Sequence, residues 1–413
     1  MSDTSLPLFL PCAGGAETLL ADEVRRILGT GAEVREARGG VFVQGDLRAA
    51  MQLNLESRLA QRVLWPLAHA PYASEHDLYD LARSVRWVDW ITPRQTLRVD
   101  ASATRSPLKS LNFASLRIKD AVCDSLREAV GDRPSVDTRH PDLSIVLHLS
   151  AEHASLYADT SGEALFKRGW RDAAAGKGEA PLKETLAAAM LAAAGWQGRA
   201  EDGPLLDPCC GAGTIAIEAA QLACGMAPGA RRKFAFERLA PFQPLARDWQ
   251  DLKREALARE HAPAVPVFAG DVAFRMTDFA TRNAQRAGVP QAIEFKTVDA
   301  LQRLPPAERG TLLVNPPYGE RIEAKGQGRV RSVREDAEAG DGGGEFFVQL
   351  AAQWKRHYAG WTAWVLSPDM KLPGRMRLKE SRRMPMWNGP LECRLFCFEM
   401  VSGSARKENS GPA

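Results

Sequence analysis

Apolar side chains recur at two spacings along this chain, and the dominant spacing changes from region to region. Leu19, Leu20, Val24, Ile27 and Leu28 repeat at helical spacing, which predicts a helix over about Glu17–Leu28 that Gly29 and Gly31 stop. An extended Leu8–Pro11, a strand near Val41–Val43 and a second helix over about Leu47–Leu59 complete a small α/β unit. From Pro66 the pattern changes. Leu97–Ala101 and Leu143–Leu149 predict strands, and Phe113–Ala129 predicts a helix. Leu143–Leu149 alternates only loosely, as a strand buried on one face does. Near Arg168 a third pattern begins, in which strand and helix alternate. Predicted strands are Pro204–Asp207, Val265–Gly270, Ile293–Val298, Thr311–Asn315, Thr362–Leu366 and Cys393–Met400. Between them, Pro181–Ala194, Thr214–Cys224, Phe274–Ala287 and Phe346–Tyr358 predict helices. That alternation implies an α/β domain with a parallel sheet covered on both faces. The shifts divide the chain into units over residues 1–65, 66–165 and 166–402, with a polar tail over 403–413 that is expected to be disordered.

Composition narrows the class without changing this picture. With 413 residues, 25% charged and 45% hydrophobic, the chain has room for two or three domains and is not collagen, coiled coil or wholesale disorder. Its longest apolar run, Leu186–Trp196, falls short of the roughly 18–20 residues a membrane span needs. The N-terminus lacks a basic segment before its brief apolar stretch, so neither a signal peptide nor a membrane anchor is expected. Cysteines at 12, 123, 209, 210, 224, 393 and 397 form no C-x-x-C, and the histidines form no H-x-x-x-H pair. A reducing cytoplasm is expected, with no disulfide framework and no zinc site. Residues 325–344 carry four basic residues, then four acids and a glycine run, which predicts a mobile insertion.

The most informative stretch is Leu205-Leu206-Asp207-Pro208-Cys209-Cys210-Gly211-Ala212-Gly213-Thr214. A short apolar strand enters a Gly-x-Gly turn and then a helix, which presents unpaired backbone N–H groups and the positive helix end at the mouth of a sheet. The same glycines satisfy the loose dinucleotide pattern, and taken alone they also fit a tight turn with no ligand.

About 100 residues further on, Thr311-Leu312-Leu313-Val314-Asn315-Pro316-Pro317-Tyr318 is an apolar strand ending in a rigid loop. Paired prolines remove two N–H donors and stop strand or helix from continuing. Asn315 and the Pro316 carbonyl offer two acceptors beside the Tyr318 ring, an arrangement suited to gripping an exocyclic amino group and stacking on its heterocycle. A proline turn that merely closes a strand is the plainer alternative.

Together, Asp207-Pro208-x-Cys210-Gly211-x-Gly213-Thr214 and Asn315-Pro316-Pro317-Tyr318 resemble the S-adenosylmethionine-dependent methyltransferases that modify exocyclic amines. Arg168-Gly169-Trp170-Arg171, the stretch Ala180–Ala189 and Asn388–Cys393 narrow the resemblance to the THUMP-domain class I RNA methyltransferases. It is similar to the N-terminal half of the bifunctional bacterial 23S ribosomal RNA enzymes that make N2-methylguanosine, up to about residue 400. The resemblance implies a ferredoxin-like unit, a THUMP RNA-binding domain and a Rossmann-like methyltransferase sheet. It implies S-adenosylmethionine as cofactor, ribosomal RNA as partner, and no membrane or metal. Asn315, Pro316, Pro317 and Tyr318 would be catalytic. Asp207, Cys210, Gly211, Gly213 and Thr214 would line the methionine end of the cofactor, Asp271 its ribose and Asp299 its adenine. Relatives often carry a second acid two positions after the ribose carboxylate, and here that position is Ala273. For Asp299, a helix N-cap is the alternative.

Net charge is only +3, which excludes a uniformly basic coat but not local clusters. Arg105, Lys109, Arg117 and Lys119 occur with no acid among them, inside the THUMP-like segment. Lys167, Arg168 and Arg171 form a second group. A third, including Arg375 and Arg377, spans 371–383 in the loop expected after the strand ending near Leu366. These are the candidate RNA contacts, although a basic run is often just a solvated face. A transfer RNA guanine methyltransferase is the nearest alternative, and a DNA adenine enzyme is more distant. A non-catalytic RNA binder built on this fold is also weighed. A nicotinamide oxidoreductase would explain the glycine turn and nothing else.

Overall fold

The computed structural model describes residues 5–171, 182–316 and 342–401, and they form two compact units. Most of the expected insertion, over 325–341, the tail over 403–413, and the positions Pro317 and Tyr318 lie outside the described residues. Within them the mixed α/β class holds.

In the first unit, β1 (Leu6–Pro11), α1 (Glu17–Leu28), β2 (Val34–Ala37), β3 (Gly40–Gly45) and α2 (Leu47–Glu56) follow in order. Asp46 starts α2 by accepting the Ala49 N–H at 2.7 Å. Then come β4 (Leu64–Pro71), α3 (Glu75–Arg83), β5 (Thr96–Ala103), α4 (Leu111–Val130), β6 (Ser135–Val136), β7 (Leu143–Leu149) and β8 (His153–Asp159). All eight strands join one sheet in the order β2-β3-β1-β4-β8-β7-β5-β6. Alternation along the strands puts Leu8 and Leu10 of β1, and Ile145 and Leu147 of β7, fully in the core.

The sequence pattern leaves β4, α3 and β8 unmarked. Pro66 and Pro71 disguise β4 as a turn, and it survives because its register with β8 shifts between Pro66 and Ala68. Ser74 and Asp77 form a reciprocal capping box that starts α3. On α1, buried Glu23 accepts from Ser57 Oγ at 2.6 Å, Arg58 N at 2.9 Å and Leu59 N at 3.2 Å, tying the end of α2 to α1.

The second unit opens with α5 (Glu184–Ala193), β9 (Leu205–Asp207) and α6 (Thr214–Ala223). Residues 226–260, including α7 (Ala246–Ala258), then belong to the first unit. The chain re-enters the second with β10 (Val267–Asp271), α8 (Phe274–Arg286), β11 (Ile293–Thr297) and β12 (Gly310–Val314). It ends with α9 (Gly342–His357), β13 (Trp361–Ser367), α10 (Leu372–Met376), β14 (Arg382–Asn388) and β15 (Leu391–Glu399).

The strand order is β11-β10-β9-β12-β13-β15-β14. Pairing is parallel from β11 to β13, whereas β15 runs antiparallel to both β13 and β14. The expected all-parallel sheet is therefore corrected to a mixed one, because β14 and β15 form a hairpin through Gly389 at φ +64°. Leu206, Leu312, Val314, Trp354 and Trp361 share one core cluster. The 371–383 segment is not simply a loop: α10 and the start of β14 occupy much of it.

Glu23→Leu should lower the unfolding free energy of the first unit by about 1–3 kcal/mol, because it strands two buried N–H groups. Urea denaturation followed by far-UV circular dichroism measures it, and an unchanged midpoint would contradict the role of Glu23.

Candidate active site

Strand order reverses at β9: the chain steps outward through β10 and β11 on one side, then returns to β12 and β13 on the other. Parallel register pairs Leu206 with both Phe268 and Leu312, so the carboxyl ends of β10, β9 and β12 lie side by side. Asp271 ends β10, Asp207 ends β9, and Asn315 follows β12. Such a reversal leaves a crevice at the carboxyl edge where ligands of open α/β sheets bind.

The glycine turn is built tightly under that edge. Cys210 N donates to Gly270 O at 2.7 Å and Gly213 N donates to Cys210 O at 2.7 Å. Gly213 precedes α6 at φ +82°, and a Cβ there would sit 3.0 Å from Ala280 Cβ. Gly211 also has positive φ, +51°, but a Cβ built on it meets nothing within 4 Å. The space above Gly211 is open, as a ligand lying against the backbone requires.

Asp207 is 1% exposed, and its Oδ1 accepts from Cys209 N at 3.3 Å. Burial, with the charge of Asp271 adding to it, pushes its carboxyl up to about 8 despite that hydrogen bond. Asp271 accepts from Gly211 N at 3.1 Å through Oδ2 and from Ala273 N at 3.0 Å through Oδ1. Each carboxylate oxygen retains a further lone pair. Asp299 follows β11, where its Oδ1 accepts from Leu301 N at 3.0 Å; this bond closes a turn and caps no helix, because none lies between β11 and β12. Burial holds the Cys209 and Cys210 thiols well above the ordinary range, so neither is a ready nucleophile.

Residues outside the expected cofactor set hold this turn. Arg171 Nε meets the buried Glu184 carboxylate at 2.5 Å, and its Nη2 donates to Thr214 Oγ1 at 2.8 Å. Asn283 Nδ2 donates to Ala212 O at 2.9 Å. The Ala180–Ala189 stretch contained Glu184, but only folding reveals its partner.

The basic candidates separate by environment. Arg105 and Lys109 are exposed, with Arg105 at φ +59°. Arg117 lies over the Tyr79 ring at 4.7 Å, and Lys119 pairs with Asp120. Lys167 pairs with Glu163 at 3.1 Å. Arg168 is 8% exposed and donates to Leu165 O and Arg58 O, so its expected role in phosphate contact gives way to an internal one. Arg171 likewise serves the turn. Arg375 pairs with Asp369 at 3.0 Å, and exposed Arg377 ends α10 at φ +49°.

The family described as "RMKL-like, methyltransferase domain" matches residues 168–396. The chain belongs to this family. A THUMP domain matches residues 72–159, and an RlmL ferredoxin-like domain matches residues 7–64. "Ribosomal RNA large subunit methyltransferase K/L" of Shewanella loihica is 36% identical over 381 residues, covering 91% of this chain and 50% of that protein. Its counterpart in Syntrophotalea carbinolica is 38% identical over 408 residues, covering 97% and 54%. The chain thus spans about half the length of the curated relatives it matches. A solved structure from Listeria monocytogenes, described as a "predicted N6-adenine-specific DNA methylase", is similar with a TM-score of 0.80. It is 26% identical, over 95% of this chain and 96% of that one.

Asp207 links stability to pH. Its unfolded carboxyl titrates near the usual value while the folded one holds its proton to about 8, so the unliganded fold loses stability as pH rises between them. Asp207→Asn should flatten the decline in Tm between about pH 5 and pH 8. An identical slope in the variant would contradict the buried, protonated carboxyl.

Proposed function

We propose that this chain transfers a methyl group from S-adenosylmethionine to the exocyclic 2-amino group of a guanine in RNA, with large-subunit ribosomal RNA as substrate. The observation that carries this reading is the meeting of the glycine turn and Asn315-Pro316 across the β9–β12 reversal. The THUMP match and the named activity of the relatives, of which this chain spans half, support RNA as the substrate class.

The residues fit the cofactor. Open space over Gly211 admits its methionine end, beside Asp207, Cys210, Gly213 and Thr214. Asp271 would accept from ribose hydroxyls and Asp299 from the adenine amino group. When bound, the cofactor supplies an electrophilic methyl on a sulfonium.

A guanine 2-amino nitrogen is a poor nucleophile because its lone pair is delocalised into the ring. Acceptors at Asn315 and Pro316 would grip its hydrogens and draw the lone pair out of conjugation, so positioning and electrostatics lower the barrier. Pro317 would stiffen the loop, and Tyr318 would stack on the base. A base out of its stack is easier to supply from a flexible or locally melted RNA segment. No tuned general base is needed, since the methylated nitrogen is acidic and releases its proton to solvent.

Asn315→Ala should keep S-adenosylhomocysteine binding, measured by calorimetry, while methyl incorporation into ribosomal RNA falls about 100-fold or more. Wild-type turnover by that variant would remove Asn315 from the chemistry. Nucleoside analysis of the product should give N2-methylguanosine; N6-methyladenosine would favour the adenine alternative. RNA affinity should also fall steeply with salt if Arg105, Lys109 and Arg377 meet phosphates, and a salt-independent constant would count against them.

A further inference from the structure

Between β11 and β12 the chain forms no helix, only a turn that begins at Asp299, whose carbonyl accepts from Gln302 N at 2.9 Å and Arg303 N at 3.0 Å. Beside that turn, a cavity of about 500 Å³ opens over the face of β10 and β11, lined by Phe268, Glu294, Lys296, Gln302, Arg303 and Leu304 among others. Neither Asp271 nor Asp299, the residues assigned to the cofactor nucleoside, lines it.

Arg303 makes this cavity distinctive. It is 5% exposed, yet its buried Nε–H has no hydrogen-bond partner among the described residues. A buried guanidinium with an orphan donor is costly unless an anion completes it. Its backbone is held in place: Tyr358 Oη donates to the Arg303 carbonyl at 2.9 Å and Gln353 Nε2 at 3.2 Å. The Arg303 backbone is therefore fixed at the cavity wall.

We infer that this cavity is a second ligand site, which takes a nucleotide with its phosphate on Arg303 and Lys296. A guanidinium fork matches phosphate geometry, and Lys296, exposed on the same face, adds a second cation. Phe268 and Leu304 supply an apolar surface for the base, and Glu294 an acceptor for its N–H groups. The nucleotide is either a unit of RNA or a free mononucleotide. Only the RNA source rests on the methyl-transfer reading.

The test uses the full chain, with inorganic phosphate, GMP and a short single-stranded RNA as probes, followed by calorimetry and thermal melting. GMP or RNA should bind wild type, and Arg303→Met and exposed Lys296→Ala should each weaken that binding about tenfold. Weakening of RNA alone identifies RNA as the source; weakening of GMP as well identifies a nucleotide site that free ligand can fill. Arg303→Met should melt no lower than wild type without ligand, since it removes an unsatisfied buried donor. S-adenosylhomocysteine binding should be unchanged in both variants. No binding of any probe, or binding that neither variant alters, would overturn the proposal. So would a lower ligand-free Tm for Arg303→Met combined with unaltered binding by Lys296→Ala. Failure of wild type to bind S-adenosylhomocysteine would instead defeat the methyl-transfer reading and leave the nucleotide result standing.

Discussion

Parallel pairing of β9 with both β10 and β12 is the constraint on which the second unit depends. Parallel strands end at the same edge, so the turn after β9, the carboxylate ending β10 and the loop after β12 converge there. Nearly all the candidate chemistry follows from that convergence. Asn315 follows Asp207 by more than a hundred positions in sequence, yet their strands are neighbours in the sheet.

Burying polar groups requires partners, and most of the buried charges here have them. Glu184 has Arg171, Asp159 has Arg62, and Glu23 has the N–H groups that follow α2. Asp207 has one weak donor from Cys209, and burial pushes its carboxyl up despite that bond. Arg303 retains an orphan Nε–H. Trp170 Nε1 and Gln221 Oε1 of the second unit are also buried without a hydrogen-bond partner among the described residues, so an unmet polar group does not by itself mark a site.

Charge follows a similar division. A total of +3 conceals arginines with different work: Arg168 and Arg171 brace the interior, whereas Arg105 and Arg377 stand exposed. Sequence clustering weights these four alike. Environment distinguishes them, because a guanidinium surrounded by carbonyls is already satisfied and an exposed one can still neutralise a phosphate.

Periodicity determined much of the secondary structure: β7 follows directly from spacing, and α1 and α6 from spacing and the glycines that bound them. The glycine turn was also legible, because Gly-x-Gly restricts the backbone locally. Hidden strands such as β4 were not, since prolines mask a strand that pairing with β8 rescues. Nor did the sequence disclose Glu184 beneath Arg171, the hairpin that turns β14 and β15 antiparallel, or the orphan donor of Arg303. Those depend on which distant segments meet. Local propensity acts over a few residues, whereas pairing and burial are settled between residues far apart in the chain.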